Sequence, residues 1–143
     1  MQLGIIADHN SLIEFYRENG LEVSDDLGHD DGAVFSVKCD QNGKTVVAAT
    51  LSQRFGVYIL DYVAVDQKFR KKGLGEKVVT AVKHKAKELG ADKLFITAKS
   101  PEFFKKLGFS EGSPQGVDMN ADCIGCPELN KGCKKLPMYI DLI

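Results

Sequence analysis

The sequence has no excess of charge of either sign and no long apolar run. Its 143 residues contain 19 Lys and Arg against 20 Asp and Glu, so the formal net charge is -1. This balance argues against a general nucleic-acid binder, because such proteins carry a basic excess. No apolar run approaches the roughly 20 residues that a membrane-spanning helix needs. We therefore expect a soluble, cytoplasmic protein without nucleic-acid or membrane partners.

Proline and cysteine are also scarce, with four of each, and tryptophan is absent. With 43% hydrophobic residues, the chain can build a core without disulfides and is not a disordered segment. The length is that of one compact domain, and the sequence shows no internal repeat or linker. We predict a single domain over residues 1–143, for which a homodimer is as compatible with the sequence as a monomer.

The apolar pattern predicts an α+β fold, in which runs rich in β-formers are strands and apolar residues at helical spacing mark helices. The predicted strands are 2–7, 33–39, 44–53, 56–65, 92–98 and 138–143, and the predicted helices are 11–19, 74–89 and 101–107. Ser11 and Glu14 form a capping-box pattern at the first helix. Asn42-Gly43 predicts a tight hairpin, and residues 24–32 read as a loop. The strand-helix-strand order of residues 56–98 predicts a right-handed parallel crossover.

The run 56–65 predicts a central strand, because both of its faces are mostly apolar. Alternation assigns one face to Val57, Ile59, Val63 and Val65, and the other to Tyr58, Leu60, Tyr62 and Ala64. Its only charged residue is Asp61, and a buried carboxylate needs a partner, solvent or a functional role.

A basic turn with two glycines follows this strand and precedes the longest predicted helix. A helix N-terminus presents unpaired N–H groups and partial positive charge, and glycines let an anion approach the backbone. The turn therefore predicts a pyrophosphate site, with a solvated basic turn as the simpler alternative. The Walker pattern G-x-x-x-x-G-K-[ST] is absent, and a dinucleotide fingerprint would need a third glycine at Val78.

The pattern R-x-x-G-x-G at residues 70–75, after the V-A-V strand end, resembles the acetyl-CoA signature of the GNAT superfamily of N-acetyltransferases. The order of elements and the sequence F-F-K-K-L-G-F at 103–109 extend the resemblance from Met1 to about Ser110. The resemblance implies a mixed central sheet flanked by helices, with a splayed central strand pair that admits acetyl-CoA. It implies these cofactor-binding residues: Val63, Ala64, Val65, Arg70, Lys71, Lys72, Gly73, Leu74, Gly75 and Phe104.

Acetyl transfer to an amine needs a base, and Asp61 is the first candidate because it is the only carboxylate on the strand that carries the thioester position. The alternative is an ion pair with Arg54. Glu102 is a second candidate. The resemblance implies a tyrosine at position 104 to protonate the leaving thiolate. Because Phe104 lacks the hydroxyl, either Tyr62, Tyr58, Tyr139 or water replaces it, or the thiolate leaves unassisted.

The form T-x-x-x-x-x-F-F-x-x-x-G-F at 97–109 resembles the amino-acid N-acetyltransferase branch related to N-acetylglutamate synthase. It implies an acceptor with a carboxylate, for which Arg54 or Lys99 could be the partner. The acidic loop 25–31 favours a cationic amine instead. We therefore expect direct acetylation of a primary amine of a small molecule, either an amino acid or a polyamine-like compound. The alternative is a non-catalytic acetyl-CoA sensor or a metal- or thiol-regulated binding module.

Three cysteines lie close together in a C-terminal segment at 118–137. Cys123 and Cys126 form a C-x-x-C pair, and Cys133 could complete three of the four ligands of a structural Zn²⁺. Cys39, Asp122, a histidine or water could supply the fourth. The alternatives are reduced thiols or a disulfide between Cys123 and Cys126.

Overall fold

The computed structural model describes residues 3–54, 56–98, 100–112 and 136–142, which form a mixed seven-stranded sheet with helices on both faces. The strands are β1 (Gly4–Ile6), β2 (Ala33–Gln41), β3 (Lys44–Arg54), β4 (Val57–Val65), β5 (Lys93–Ala98), β6 (Ser110–Glu111) and β7 (Leu136–Asp141). The helices are α1 (Ile13–Glu18), α2 (Leu27–Asp31), α3 (Leu74–Glu88) and α4 (Pro101–Lys106), with short 3₁₀ turns at His9–Leu12 and Gln67–Phe69. The predicted α+β class is confirmed.

The strand order is β1-β2-β3-β4-β5-β7-β6, and the described strands pair antiparallel except for β4 and β5. Helix α3 connects these two parallel strands, as the strand-helix-strand pattern predicted. The β2–β3 hairpin also forms where predicted, because Asn42 and Gly43 both adopt positive φ, at 55° and 77°. A two-residue hairpin turn of this type requires positive φ at both positions.

The prediction of a loop over residues 24–32 is wrong, because the short helix α2 forms within it. The Asp26 side chain accepts a hydrogen bond from the His29 N–H at 3.2 Å, and Gly32 ends the helix at φ 73°. Leu27 is fully buried and is the only apolar residue of the helix. A helix is recognised in a sequence from several apolar residues at helical spacing, and α2 has only one, so the sequence pattern did not reveal it.

The capping-box prediction is also wrong. Helix α1 begins at Ile13 with Leu12 at the N-cap, and residues 9–12 form a 3₁₀ turn instead. The Ser11 hydroxyl donates to the Asp8 carbonyl at 2.7 Å, so this serine stabilises the preceding turn.

A β-bulge at Asp61 overturns the predicted faces of β4. Thr50 of β3 pairs with Tyr62, whereas the next residue, Leu51, pairs with Leu60, so Asp61 is the extra residue. An extra residue reverses the alternation of side chains beyond it. The face toward α3 therefore carries Tyr58, Leu60, Val63 and Val65, and the opposite face toward α1 carries Tyr62 and Ala64.

Two apolar clusters hold the helices to the sheet. On one face, α3 contributes Val78, Val79 and Val82, all at most 1% exposed. On the other face, Tyr16 of α1 and Leu27 of α2 pack against Ala48 and Ala64. Burial of such side chains supplies most of the stabilisation of a domain of this size. Among the described residues, no helix has the length and apolarity to cross a membrane.

A chain of hydrogen bonds crosses the α1 face of the sheet. The Tyr16 hydroxyl bonds to Thr50 Oγ1 at 2.7 Å, Thr50 to Ser36 Oγ at 2.8 Å, and Ser36 to Nδ1 of His9 at 3.0 Å. Tyr16, Thr50 and Ser36 are fully buried, and burial raises the pKa of the Tyr16 phenol. Each hydroxyl in this chain therefore depends on its neighbour for a partner.

The substitution Tyr16→Phe should lower the free energy of unfolding by about 1–2 kcal/mol, because it leaves a buried Thr50 hydroxyl with one partner fewer. Urea denaturation at pH 7 measures the loss. Tyr58→Phe, at a half-buried position on β4, is the control and should leave the midpoint nearly unchanged. Equal urea midpoints for the two variants would show that this chain of hydrogen bonds contributes no stability.

Candidate active site

Strands β4 and β5 diverge at the centre of the sheet. They pair only at Tyr58 with Leu94 and at Ile59 with Phe95, although both strands continue beyond these residues. Past that point β4 remains paired to β3 and β5 to β7. The facing edges of the two strands therefore present backbone N–H and C=O groups to the gap between them, as the splayed pair predicted from the sequence requires.

A cleft of about 790 Å³ opens from this gap. Its floor is formed by residues 61–65 of β4 and 96–98 of β5, and its sides by residues before and within α3 and α4. Asn19, Leu21 and Glu22, which follow α1, line it on the opposite face of the sheet from α3. The volume lies in the range of ordinary ligand sites.

The turn before α3 forms an anion cradle at one end of the cleft. Lys71 and Gly73 both have positive φ, at 66° and 77°, and α3 begins immediately afterwards at Leu74. Left-handed residues before a helix turn successive N–H groups toward a common point, where they add to the positive end of the helix dipole. An added Cβ at Gly73 would have no heavy atom within 4 Å, so the space over the turn is open.

Gly75 lies in the first turn of α3, where the helix passes close to α4. An added Cβ would approach the ring of Phe103 at 3.1 Å and a methyl group of Val65 at 3.6 Å. The second glycine of the motif therefore allows the close packing of α3 against β4 and α4, whereas the first permits the positive φ.

Two cations of the turn, Arg70 and Lys71, line the cleft at the cradle, and Lys106 and the carboxylate of Glu76 also line the cleft. The Arg70 Nε donates to the Val65 carbonyl at 3.1 Å, which fixes the side chain at the strand end. Lys72 is exposed, with its Nζ 5.4 Å from the centre of the Phe69 ring, and is not one of the lining residues. All of the predicted cofactor-binding residues except Lys72 line the cleft.

Asp61, the predicted base, lines the cleft and is bound to Arg54. The two guanidinium nitrogens Nη1 and Nη2 donate to the two carboxylate oxygens at 2.5 and 2.7 Å. The side chains are 10% and 20% exposed, so the pair is largely buried. This is the ion pair that the sequence offered as the alternative to a catalytic role, and the guanidinium holds both oxygens of the carboxylate.

Tyr62, the predicted proton donor to the thiolate, also lines the cleft. Its hydroxyl donates to Oδ2 of Asp31 at 2.6 Å, and its ring stacks on Tyr16 with centroids 5.1 Å apart. Burial, followed by the hydrogen bond and charge of Asp31, raises the pKa of the Tyr62 phenol. Such a phenol gives up its proton less readily, so the geometry does not favour the predicted role.

The structure does not bring Glu102 into the cleft lining formed by the described residues. Its side chain is 84% exposed and lies 3.7 Å from Lys105 on α4. Phe104 does line the cleft, 6% exposed, with its ring edge-on to Phe103 at 4.9 Å and to Phe109 at 5.5 Å. This apolar cluster supports the cleft wall and carries no hydroxyl for the thiolate.

Comparison with known proteins identifies the family. The family model described as the acetyltransferase (GNAT) family matches residues 4–109. The chain belongs to this family. Membership confirms the predicted class, an acetyl-CoA-dependent N-acyltransferase, and residues 110–143 lie beyond the matched range.

Solved GNAT structures share the fold at low identity. N-acetylglutamate synthase from Neisseria gonorrhoeae, complexed with coenzyme A and N-acetyl-glutamate, matches 100% of this chain at 16% identity and a TM-score of 0.73. This chain spans only 36% of that synthase. An aminoglycoside 6'-N-acetyltransferase complexed with coenzyme A matches at 15% identity over 100% of this chain and 98% of its own, with a TM-score of 0.69.

A third neighbour, the ribosomal-protein-S18-alanine N-acetyltransferase from Escherichia coli, matches 99% of this chain and 94% of its own at 15% identity, with a TM-score of 0.67. The names of these three enzymes indicate three different acceptors. The shared fold therefore does not identify the acceptor of this GNAT protein.

The cleft of this GNAT protein fits acetyl-CoA, which supplies the acyl group as a thioester. The cradle N–H groups with Arg70 and Lys71 suit the pyrophosphate, and the exposed edges of β4 and β5 suit the amides of the pantetheine arm. The geometry of the cradle was predictable because its motif is contiguous in sequence. Lys106 was missed because nothing local shows that α4 turns it toward the cleft.

The α1 face of the sheet contributes residues to the cleft that sequence reasoning missed. Asn19, Leu21 and Glu22 reach the cleft after α1, and Asp31 contacts Tyr62 from α2. The only sequence signal was the cluster of aspartates around residues 25–31. It indicated that the region is acidic, but not that Asp31 contacts Tyr62.

Most residues of the proposed zinc site lie outside the described residues, including Cys123, Cys126 and Cys133. Cys39, one candidate for the fourth ligand, is a free thiol 2% exposed within the α3-side core, where it is an unsuitable metal ligand. In the described part of the chain, no group of three or more His, Cys, Asp or Glu residues could hold a metal ion. Nothing supports zinc, and it stays a prediction from the sequence.

Proposed function

We propose that this protein transfers the acetyl group of acetyl-CoA to a primary amine of a small molecule, in the cytoplasm and by direct transfer. The observation that carries the proposal is the arrangement of one continuous cleft. An anion cradle lies at one end, the open edges of β4 and β5 follow, and the polar groups of Asp61 and Tyr62 come next. A donor and an acceptor can meet along this cleft without a covalent enzyme intermediate.

The motif at residues 97–109 supports a small acceptor, because it resembles the amino-acid acetyltransferase branch. The neighbours do not decide the question, since they include enzymes named for glutamate and aminoglycosides as well as one named for a ribosomal protein. Asn19, Leu21 and Glu22 line the cleft on the α1 face of the sheet, where a compact amine could contact them.

The backbone of β4 supplies the remaining chemistry. An N–H group at Val63 or beside it can stabilise the charge that develops on the acyl oxygen, an effect on the order of 3 kcal/mol when the donor is preorganised. The bulge at Asp61 breaks the pairing of β4 just before this point. We infer that the bulge directs the following backbone groups toward the cleft, because bulges often re-aim a strand beside an active site.

The protein should release the free thiol of CoA from acetyl-CoA when a suitable amine is present. The panel should contain amino acids and their decarboxylated counterparts, such as lysine with cadaverine and tyrosine with tyramine, together with aminoglycosides and spermidine. Each matched pair differs in one carboxylate, so the preferred member tests whether the site binds an acidic group. Thiol release and mass spectrometry of the acetylated amine measure the reaction.

Acetyl-CoA binding without turnover on any amine would favour the sensor, a function that the missing hydroxyl at Phe104 also suggests. Turnover only on peptide N-termini or lysine-containing peptides would contradict the small-molecule assignment. The Gly73→Asp variant is the negative control, because it should lose the donor site while the acceptor end is unchanged.

A further inference from the structure

The hydrogen bond between Tyr62 and Asp31 connects the cleft to a carboxylate behind its wall. Tyr62 lines the cleft from β4, and Asp31 is the last residue of α2. The Tyr62 hydroxyl donates its only proton to Oδ2 of Asp31 at 2.6 Å. The Ser24 backbone N–H also donates to the phenol oxygen. The lone pair that is left can only accept a hydrogen bond, and a primary amine or ammonium group is a suitable donor.

The groups around Asp31 leave its carboxylate available for a proton. The Ser24 hydroxyl donates to the same oxygen at 3.2 Å, whereas Arg54 donates to the Asp31 backbone carbonyl at 2.7 Å. The Arg54 guanidinium also binds both oxygens of Asp61. Arg54 thus joins α2 to β4, and it already binds both carboxylate oxygens of Asp61.

The charges and burial at Asp31 favour proton uptake. Burial is the main factor that raises the pKa of this carboxyl, and the negative charge of Asp61 acts in the same direction. The hydrogen bonds from Tyr62 and Ser24 and the charge of Arg54 oppose the increase without cancelling it. A carboxylate with a raised pKa is the stronger base.

We propose that Tyr62 and Asp31 accept the proton that the acceptor amine must lose before it attacks. An N–H of the ammonium group passes its proton to the Tyr62 oxygen, while the Tyr62 hydroxyl proton passes to Asp31. The products are a neutral amine, an unchanged phenol and a protonated Asp31, so charge and protons balance. Tyr62 is the catalytic residue because it touches the amine, and Asp31 is a positioning and relay residue that acts through it.

This inference rests on the proposed function and gives the acceptor site a chemical preference. Asp31, Asp61 and Glu22 provide three carboxylates near this end of the cleft, against one guanidinium at Arg54. The net negative charge favours a cationic amine. The sequence offered Arg54 or Lys99 as the partner for a carboxylate of the acceptor. The Arg54 guanidinium is already bound to Asp61, and Lys99 lies outside the described residues.

The test compares Tyr62→Phe and Asp31→Asn with the unmodified protein on the best amine of the panel. Both variants should lower kcat by about 100-fold at pH 7, the usual size of a general-base contribution, while acetyl-CoA affinity is unchanged. The double variant should be no slower than either single variant, because the two residues act as one unit. Tyr58→Phe, at a position where β4 is still paired with β5, is the control and should retain the full rate.

The pH profile separates proton transfer from a structural effect. At pH 10 about 30% of an alkylamine with a pKa near 10.4 is neutral in solution, against less than about 0.1% at pH 7, so the variants should recover to within about fivefold of the unmodified protein. Asp31→Asn should also keep or raise the Tm at pH 7. The raised pKa of Asp31 means that its ionised form is disfavoured in the folded state, and its contribution to stability is lost as the pH rises above the ordinary Asp range.

A Tyr62→Phe variant that keeps both its kcat and its pH profile would overturn the proton-transfer role while the proposed function stands. Additive losses in the double variant, or a constant deficit up to pH 10, would overturn it as well. If the unmodified protein acetylates no amine, the proposed function fails and the role of the pair fails with it.

Discussion

Replacing Gly73 by aspartate should weaken acetyl-CoA binding by at least about 100-fold, which corresponds to roughly 2.7 kcal/mol. The added carboxylate would stand in the open space over the turn before α3, among the N–H groups that suit a pyrophosphate. Two unit charges about 4 Å apart repel by about 4 kcal/mol at an effective dielectric constant near 20, so partial screening still leaves an effect of this size. Isothermal titration calorimetry with acetyl-CoA or CoA measures the affinity.

Two controls isolate the charge from the backbone effect. Gly73→Asn has nearly the same shape and tolerates positive φ as well as aspartate does, so it should bind more tightly than Gly73→Asp. Gly43→Asp, in the β2–β3 turn, matches Gly73 in both φ, 77°, and open space around the added Cβ, and should bind acetyl-CoA normally. A folded Gly73→Asp variant with unchanged affinity would show that the turn is not the phosphate site.

The cradle was predictable because its determinants are local. Residues 63–75 contain the strand end, the positive-φ glycine and the helix start in one contiguous segment, so a short motif describes the whole arrangement. The hairpin at Asn42-Gly43 was predictable for the same reason, since its two φ angles depend on those two residues.

The bulge at Asp61 shows why the acceptor half was not predictable in the same way. Bulges arise from the pairing of two strands, and nothing within residues 57–65 records that Thr50 and Leu51 of β3 face Tyr62 and Leu60. The Tyr62 contact with Asp31 joins residues 31 positions apart and also depends on α2, whose only apolar residue is Leu27. Alternation alone therefore assigned half of β4 to the wrong face.

The ion pair between Arg54 and Asp61 should produce the largest stability effect in the described structure. Arg54→Leu would leave Asp61, with a side chain 10% exposed, without the two hydrogen bonds that compensate its charge. Breaking a buried pair from one side costs about 3–5 kcal/mol, because the remaining charge has lost its partner. The variant also loses the hydrogen bond from Arg54 to the Asp31 carbonyl, which should loosen α2. Chemical denaturation at pH 7 measures the loss.

The double variant Arg54→Leu/Asp61→Leu distinguishes a lost partner from a lost side chain. Because it removes both charges and fills the space with apolar groups, it should recover most of the stability that Arg54→Leu loses. The two single losses should then sum to more than the loss of the double variant, with a coupling energy above about 2 kcal/mol in the cycle. Additive losses would mean that the two charges stabilise the fold independently. Asp61 would then not be paired with Arg54 in solution, and it would again be the first candidate for the base.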